Sequence, residues 1–173
     1  MDGSGEIEWS QAVLEDVSRT FALSISLLDS PMQAEIRTGY LLCRVADTIE
    51  DARHIPPGEK VALLNTYRSV LTQDNPTTPA DFRSDVEQWV PNERSGEWKL
   101  VTETPRLIDR YQALPDRTKA QLRPPIQAML HGMAAFIARY EQSEGLRIQT
   151  IEELETYCWY VAGTVGELVT EIV

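Results

Sequence analysis

Prolines cut this sequence into lengths that each carry apolar residues at helical spacing, and an all-helical chain is what that pattern admits. Asp29-Ser30-Pro31 reads as a helix start, a capping residue followed by proline in the first turn, and the helix it opens runs to about Ala52. Pro56-Pro57-Gly58 interrupts the chain, and Glu59 to Leu71 resumes with Val61, Leu64, Val70 and Leu71 at helical spacing. Pro105 is expected to open a helix to Leu114, and Pro124-Pro125 another reaching about Tyr140. Upstream, Glu8 to Val17 forms a short helix, followed by the polar break Ser18-Arg19-Thr20 and the apolar run Phe21 to Leu28. Thr72 to Ala80 reads as loop, the segment with Trp89, Pro91 and Trp98 is weakly patterned, and Ile151 to Val173 forms a last helix. Alternating β-branched runs bounded by turn pairs are absent from the sequence. The expected fold is all-α, one helical domain over residues 1–173.

Charge narrows the function. Lys+Arg 16 against Asp+Glu 27 gives a net charge of −11, the wrong sign for a nucleic-acid footprint or for electrostatic docking on anionic lipid. Cys43 and Cys158 lack a CxxC partner and are expected to be small buried hydrophobes. His54 and His131 stand too far apart in sequence to suggest a histidine metal site. No charged-then-apolar leader opens the sequence, and no apolar run approaches the roughly 20 residues that span a bilayer. A cytoplasmic protein is expected, touching membranes only to collect or release a greasy ligand. The run Leu168 to Val173 keeps helical pattern to the last residue, from which a fragment of a longer chain is expected.

Chemistry concentrates on the long helix. At about 100° per residue, Tyr40, Arg44, Asp47 and Asp51 fall within about 60° of one another. Leu41, Leu42, Val45, Ala46 and Ile49 take the other side. Two carboxylates one turn apart can share a magnesium ion with a substrate phosphate, and Glu50 lies at the edge of the stripe as a further ligand. Arg44 offers planar, bidentate recognition of a diphosphate. From spacing alone, the same residues also describe a solvated helix face with an Arg44–Asp47 surface pair.

Four segments in order carry a resemblance. Tyr40 to Asp51, with Arg44 ahead of Asp47-Thr48-Ile49-Glu50-Asp51, resembles the first aspartate-rich motif of squalene synthases. Ser18-Arg19-Thr20-Phe21, His131-Gly132-Met133-Ala134, and the helix from Tyr157 through Val161-Ala162-Gly163 to Gly166 are similar to three further segments of the squalene/phytoene synthase family. The resemblance covers Ser18 to about Val169 and implies the helical bundle of isoprenoid synthases, incomplete at its C-terminal end.

What the resemblance implies is head-to-head joining of two prenyl diphosphates, with farnesyl diphosphate giving presqualene diphosphate and squalene. Mg2+ is the implied cofactor, joined by NADPH if the product is squalene. Asp47, Glu50 and Asp51 would bind metal, while Arg44 and Arg19, with Ser18 and Thr20, would hold diphosphate or cofactor phosphate. Phe21 and Tyr40 would line the pocket, where aromatic faces stabilise a passing carbocation. Tyr157 would handle a proton in the first half-reaction. Tyr157, Val161, Thr164 and Leu168 would share one face as a slot for the isoprenoid tail, with Gly163 and Gly166 admitting a neighbour or ligand. The family's second aspartate-rich helix has no counterpart in these residues, so a phytoene or dehydrosqualene synthase and a non-catalytic helical module needing a partner chain stay open as alternatives.

Overall fold

The computed structural model describes residues 3–72, 76–143 and 145–173. Its helices are α1 (Gly3–Val17), α2 (Arg19–Ser26), α3 (Met32–Asp51), α4 (Pro57–Thr72), α5 (Pro79–Glu87), α6 (Gly96–Thr102), α7 (Thr104–Gln112), α8 (Asp116–Arg139), α9 (Ile151–Cys158) and α10 (Thr164–Ile172). A π-helical turn, Trp159–Gly163, joins the last two. No strand occurs among the described residues, and the fold is all-α.

Helix α3 is the hub. It packs on α1, α2, α4, α6, α7, α8 and α10 because its apolar stripe, Leu41, Leu42, Val45, Ala46 and Ile49, is completely buried. Helices α4 and α8 close over it with Leu64, Leu122, Met129 and Met133, and the Tyr67 hydroxyl donates to Leu42 O at 3.1 Å. At Gly39 the packing on α3 is close: a Cβ there would meet Leu122 Cδ2 at 2.7 Å and Leu168 Cδ2 at 2.9 Å. The absent side chain is what lets α8 and α10 seat on α3 at this point.

Several boundaries differ from the sequence expectation. Helix α8 begins at Asp116 and carries Pro124 and Pro125 inside it, so the pair does not open a helix. Each ring removes an N–H and disfavours the interior of a helix by about 3 kcal/mol, a cost offset here by a continuous buried face. Leu122, Ile126, Met129 and Met133 hold that face against α3 and α4. At the start of α3, neither Asp29 nor Ser30 supplies a capping side chain: Pro31, after a cis peptide bond, takes the cap position itself. The expected loop Thr72 to Ala80, of which residues 73–75 lie outside the described set, contains the capping box of α5. Thr78 Oγ1 accepts from Asp81 N at 3.2 Å, and Asp81 Oδ2 accepts from Thr78 N at 2.7 Å. The weakly patterned segment holds most of α5 and all of α6, secured by buried Phe82, Val86, Trp98, Leu100 and Val101. Cys43 is buried as expected, but Cys158 is exposed because α9 lies on the rim of the bundle with no buried residue of its own.

Candidate diphosphate site

A groove of about 620 Å³ opens between α2, α3 and the α9–α10 helix. Arg44 and Asp47 sit on its wall beside Phe21, Tyr40, Val161 and Val165. The Phe21 and Tyr40 rings stack with centroids 4.4 Å apart, so α2 and α3 present one continuous aromatic surface to it. Ser18 makes this possible locally: its hydroxyl caps α2 by accepting from Phe21 N at 3.4 Å. Arg19 and Thr20 are exposed, and Arg19 borders a separate surface depression with Gln11 and Glu15 rather than the groove.

On α3 the acidic residues divide their partners. Asp47 is bound by Arg44 Nη1, and Arg44 Nη2 also reaches Glu97 Oε1 at 3.3 Å. Glu50 accepts from the Tyr157 hydroxyl at 3.0 Å, and Lys60 Nζ donates to the Glu50 carbonyl. Asp51 is exposed at the end of the helix. Burial raises the Asp47 carboxyl above its ordinary value and the nearby Asp51 adds to this, against the pull of Arg44. Burial likewise raises Glu50, with Asp51 and Asp47 adding to it and the Tyr157 hydrogen bond and Lys60 opposing. Among the described residues no group of three histidine, cysteine, aspartate or glutamate side chains is arranged to hold a metal ion. The donor set nevertheless suits magnesium, which takes one or two carboxylates and fills its octahedron with water and phosphate oxygens.

The far wall is set by the π turn. Thr164 N reaches past Tyr160 to Trp159 O, and the Thr164 hydroxyl donates to Tyr160 O at 2.8 Å. The wide turn delays the following residues by roughly one position, about 100° of rotation. Thr164 and Leu168 therefore turn into the core, 1% and 0% exposed, instead of sharing a slot with Tyr157 and Val161. Val165, Gly166 and Val169 take their place on the groove. Gly163 packs against its own helix, where a Cβ would meet Trp159 Cδ1 at 2.9 Å, while a Cβ on Gly166 would meet nothing within 4 Å. Glu97, Cys43, Val165 and Val169 are site residues that sequence reasoning did not single out, and Met129, expected in the core, also lines the groove. No local signal marks Glu97, and the π turn has none in the sequence pattern.

The model of the squalene/phytoene synthase family matches residues 14–173, and the chain belongs to that family. It is 29% identical over 157 residues to the squalene synthase of Schizosaccharomyces pombe, covering 89% of this chain and 31% of that protein. It is 28% identical over 160 residues to the presqualene diphosphate synthase of Botryococcus braunii, covering 92% of this chain and 35% of that protein. The solved structure of TcSQS in complex with the ligand E5700 superposes with a TM-score of 0.76 at 25% identity, covering 96% of this chain and 44% of that one. The chain thus spans about a third of the length of these curated relatives. No helix among the described residues is long and apolar enough to cross a membrane.

Proposed function

We propose that this chain contributes one wall of a magnesium–diphosphate site for head-to-head prenyl transfer, with farnesyl diphosphate as substrate and presqualene diphosphate, then squalene, as products. The observation that carries the proposal is a groove with a charged head and a greasy body. Arg44 and Asp47 lie on the same wall system as Phe21, Tyr40, Val161, Val165 and Val169. A prenyl diphosphate has the same division. Arg44 would bind diphosphate oxygens, and Asp47 with Asp51 would hold Mg2+, which when bound supplies the Lewis acidity that makes diphosphate leave. The stacked Phe21–Tyr40 faces would lie along the developing allylic cation. Tyr157, kept protonated by burial and by Glu50 and bonded to Glu50 on the acidic end of α3, would handle the proton of the first half-reaction. NADPH enters this reading only for the squalene-forming step.

Incubation with farnesyl diphosphate and Mg2+, with and without NADPH, tests the reading by product analysis. Squalene formed only with NADPH supports it, and a C30 hydrocarbon formed without reductant, as distinct from presqualene diphosphate, favours the dehydrosqualene branch. Full activity surviving Asp47→Ala together with Asp51→Ala would sink it. A second reading, a helical module completed by a partner chain, draws on exposed Ile151, Leu154 and Trp159. Light scattering of the isolated chain separates the two: a strict monomer with activity removes the need for a partner.

A further inference from the structure

Arg44 is shared between two carboxylates from different helices, and only one of them belongs to the aspartate-rich motif. Nη1 pairs with Asp47 one turn along α3, and Nη2 pairs with Glu97 of α6 at 3.3 Å. All three side chains are less than a third exposed, so the pairing is screened less than a surface pair would be. With one guanidinium between two carboxylates, the trio keeps one negative charge uncompensated. A divalent cation binding Asp47 must first win that carboxylate from Arg44. Glu97 lowers this barrier by giving Arg44 a second partner, so that the arginine is not left as an unpaired, partly buried charge when Asp47 lets go.

Glu97 is well placed for that role. Its helix begins where Gly96 packs on α1: a Cβ at that position would meet Asp16 Cβ at 3.0 Å and the Asp16 carbonyl carbon at 3.3 Å. The close approach brings the first turn of α6 against α3, where it meets Arg44. Burial raises the Glu97 carboxyl, but Ser95, its own backbone amide and Arg44 outweigh burial and bring it below its ordinary value. It is therefore an ionised partner at neutral pH.

We propose that Glu97 is a positioning residue that receives Arg44 when Asp47 is engaged by a divalent cation, converting a closed Arg44–Asp47 pair into an open site. The inference rests on the diphosphate-site reading above. It assigns Glu97 a part in loading the site, acting through Arg44 and without touching substrate.

The test is binding of Mn2+ with inorganic diphosphate to this chain, followed by calorimetry and by the paramagnetic resonance of free Mn2+. Glu97→Gln is expected to weaken Mn2+ affinity about five- to tenfold, the size of a coupling within one ion-pair network. Glu97→Asp, which keeps the charge but shortens the reach, is expected to weaken it similarly. In an Arg44→Gln background, Glu97→Gln is expected to change affinity less than about twofold, because the residue through which Glu97 acts is gone. Equal losses in both backgrounds, or full affinity in Glu97→Asp, would show a plain charge effect and overturn the exchange alone. Saturable binding by the unaltered chain that persists in Asp47→Asn with Asp51→Asn, or no saturable binding at all, would overturn the site reading and the exchange with it.

Discussion

The Tyr157 hydroxyl donates to Glu50 Oε1 at 3.0 Å, joining the α9 helix to the acidic end of α3. Burial, then the charge and hydrogen bond of Glu50, push the phenol well above its ordinary value, so it stays protonated and a hydrogen-bond donor. Tyr157→Phe keeps the ring contact with Phe136, whose centroid lies 5.2 Å away, and removes only the donor. The expected cost is about 1 kcal/mol of stability. The Glu50 carboxyl, followed by NMR, should titrate higher in this variant, because the Tyr157 hydrogen bond lowers it. An unmoved Glu50 titration would contradict the geometry.

Asp47 and Glu50 both have carboxyls raised in the folded chain, burial being the larger cause in each. Such groups favour the folded state while protonated, and that contribution is present in acid and lost as pH rises through the native value. The double substitution Asp47→Asn with Glu50→Gln should therefore match the unaltered chain in acid and exceed its Tm above about pH 5. Added Mg2+ should narrow the gap by stabilising only the unaltered chain. Thermal melts across pH 4 to 8 measure both effects, and a pH-independent difference would refute the linkage.

Two glycines should respond in opposite ways to alanine. Gly166 faces open groove, with nothing within 4 Å of a Cβ, so Gly166→Ala should gain about 0.5–1 kcal/mol of helix stability. At Gly132 a Cβ would lie 2.0 Å from Tyr160 Cγ, and Gly132→Ala should lose about 1–3 kcal/mol through overpacking. Urea denaturation of the two variants is the check. Gly166→Leu should remain folded yet bind a fluorescent farnesyl diphosphate analogue more weakly, since its side chain would occupy the groove.

Arg37 is 1% exposed and, among the described residues, has no carboxylate as a hydrogen-bond partner. Its guanidinium instead donates to Gln33 Oε1 at 2.9 Å and Ser10 Oγ at 3.2 Å, holding α1 against α3, while Nε has no partner among the described residues. Arg37→Met removes a costly buried charge and keeps much of the volume, so it should cost less than about 2 kcal/mol. Arg37→Ala also opens a cavity and should cost at least about 3 kcal/mol. Comparable denaturation midpoints for the two variants would rule out a packing role for the arginine stem.

The helices with strong apolar periodicity were legible in the sequence, α3 above all, because burial on one face and polarity on the other leave a readable stripe. Tyr40, Arg44 and Asp47 were placed on that stripe by arithmetic, and the structure sets all three along one groove. Helix α8 was misread because proline is a local signal, and the face built by Leu122, Ile126 and Met129 overrides it only through packing on other helices. Helices α5 and α6 were missed for the converse reason: a short helix held by Phe82, Val86 and Trp98 shows little period of its own. Glu97 reaches Arg44 across 53 positions of sequence, and nothing near it announces the meeting. Arg19, which resembles a family residue, points to another surface, because α2 turns Phe21 toward the groove.

The wide turn at Trp159–Gly163 makes the groove's lining a matter of counting as well as of chemistry. The turn holds one residue more than regular winding needs, so deleting one residue there would restore that winding and leave Thr164 and Leu168 facing the interior. Every side chain downstream would keep both its identity and its address. A one-residue deletion in this turn should thus be far less damaging than the same deletion in the regular winding of α10, which would turn every later side chain by about 100°.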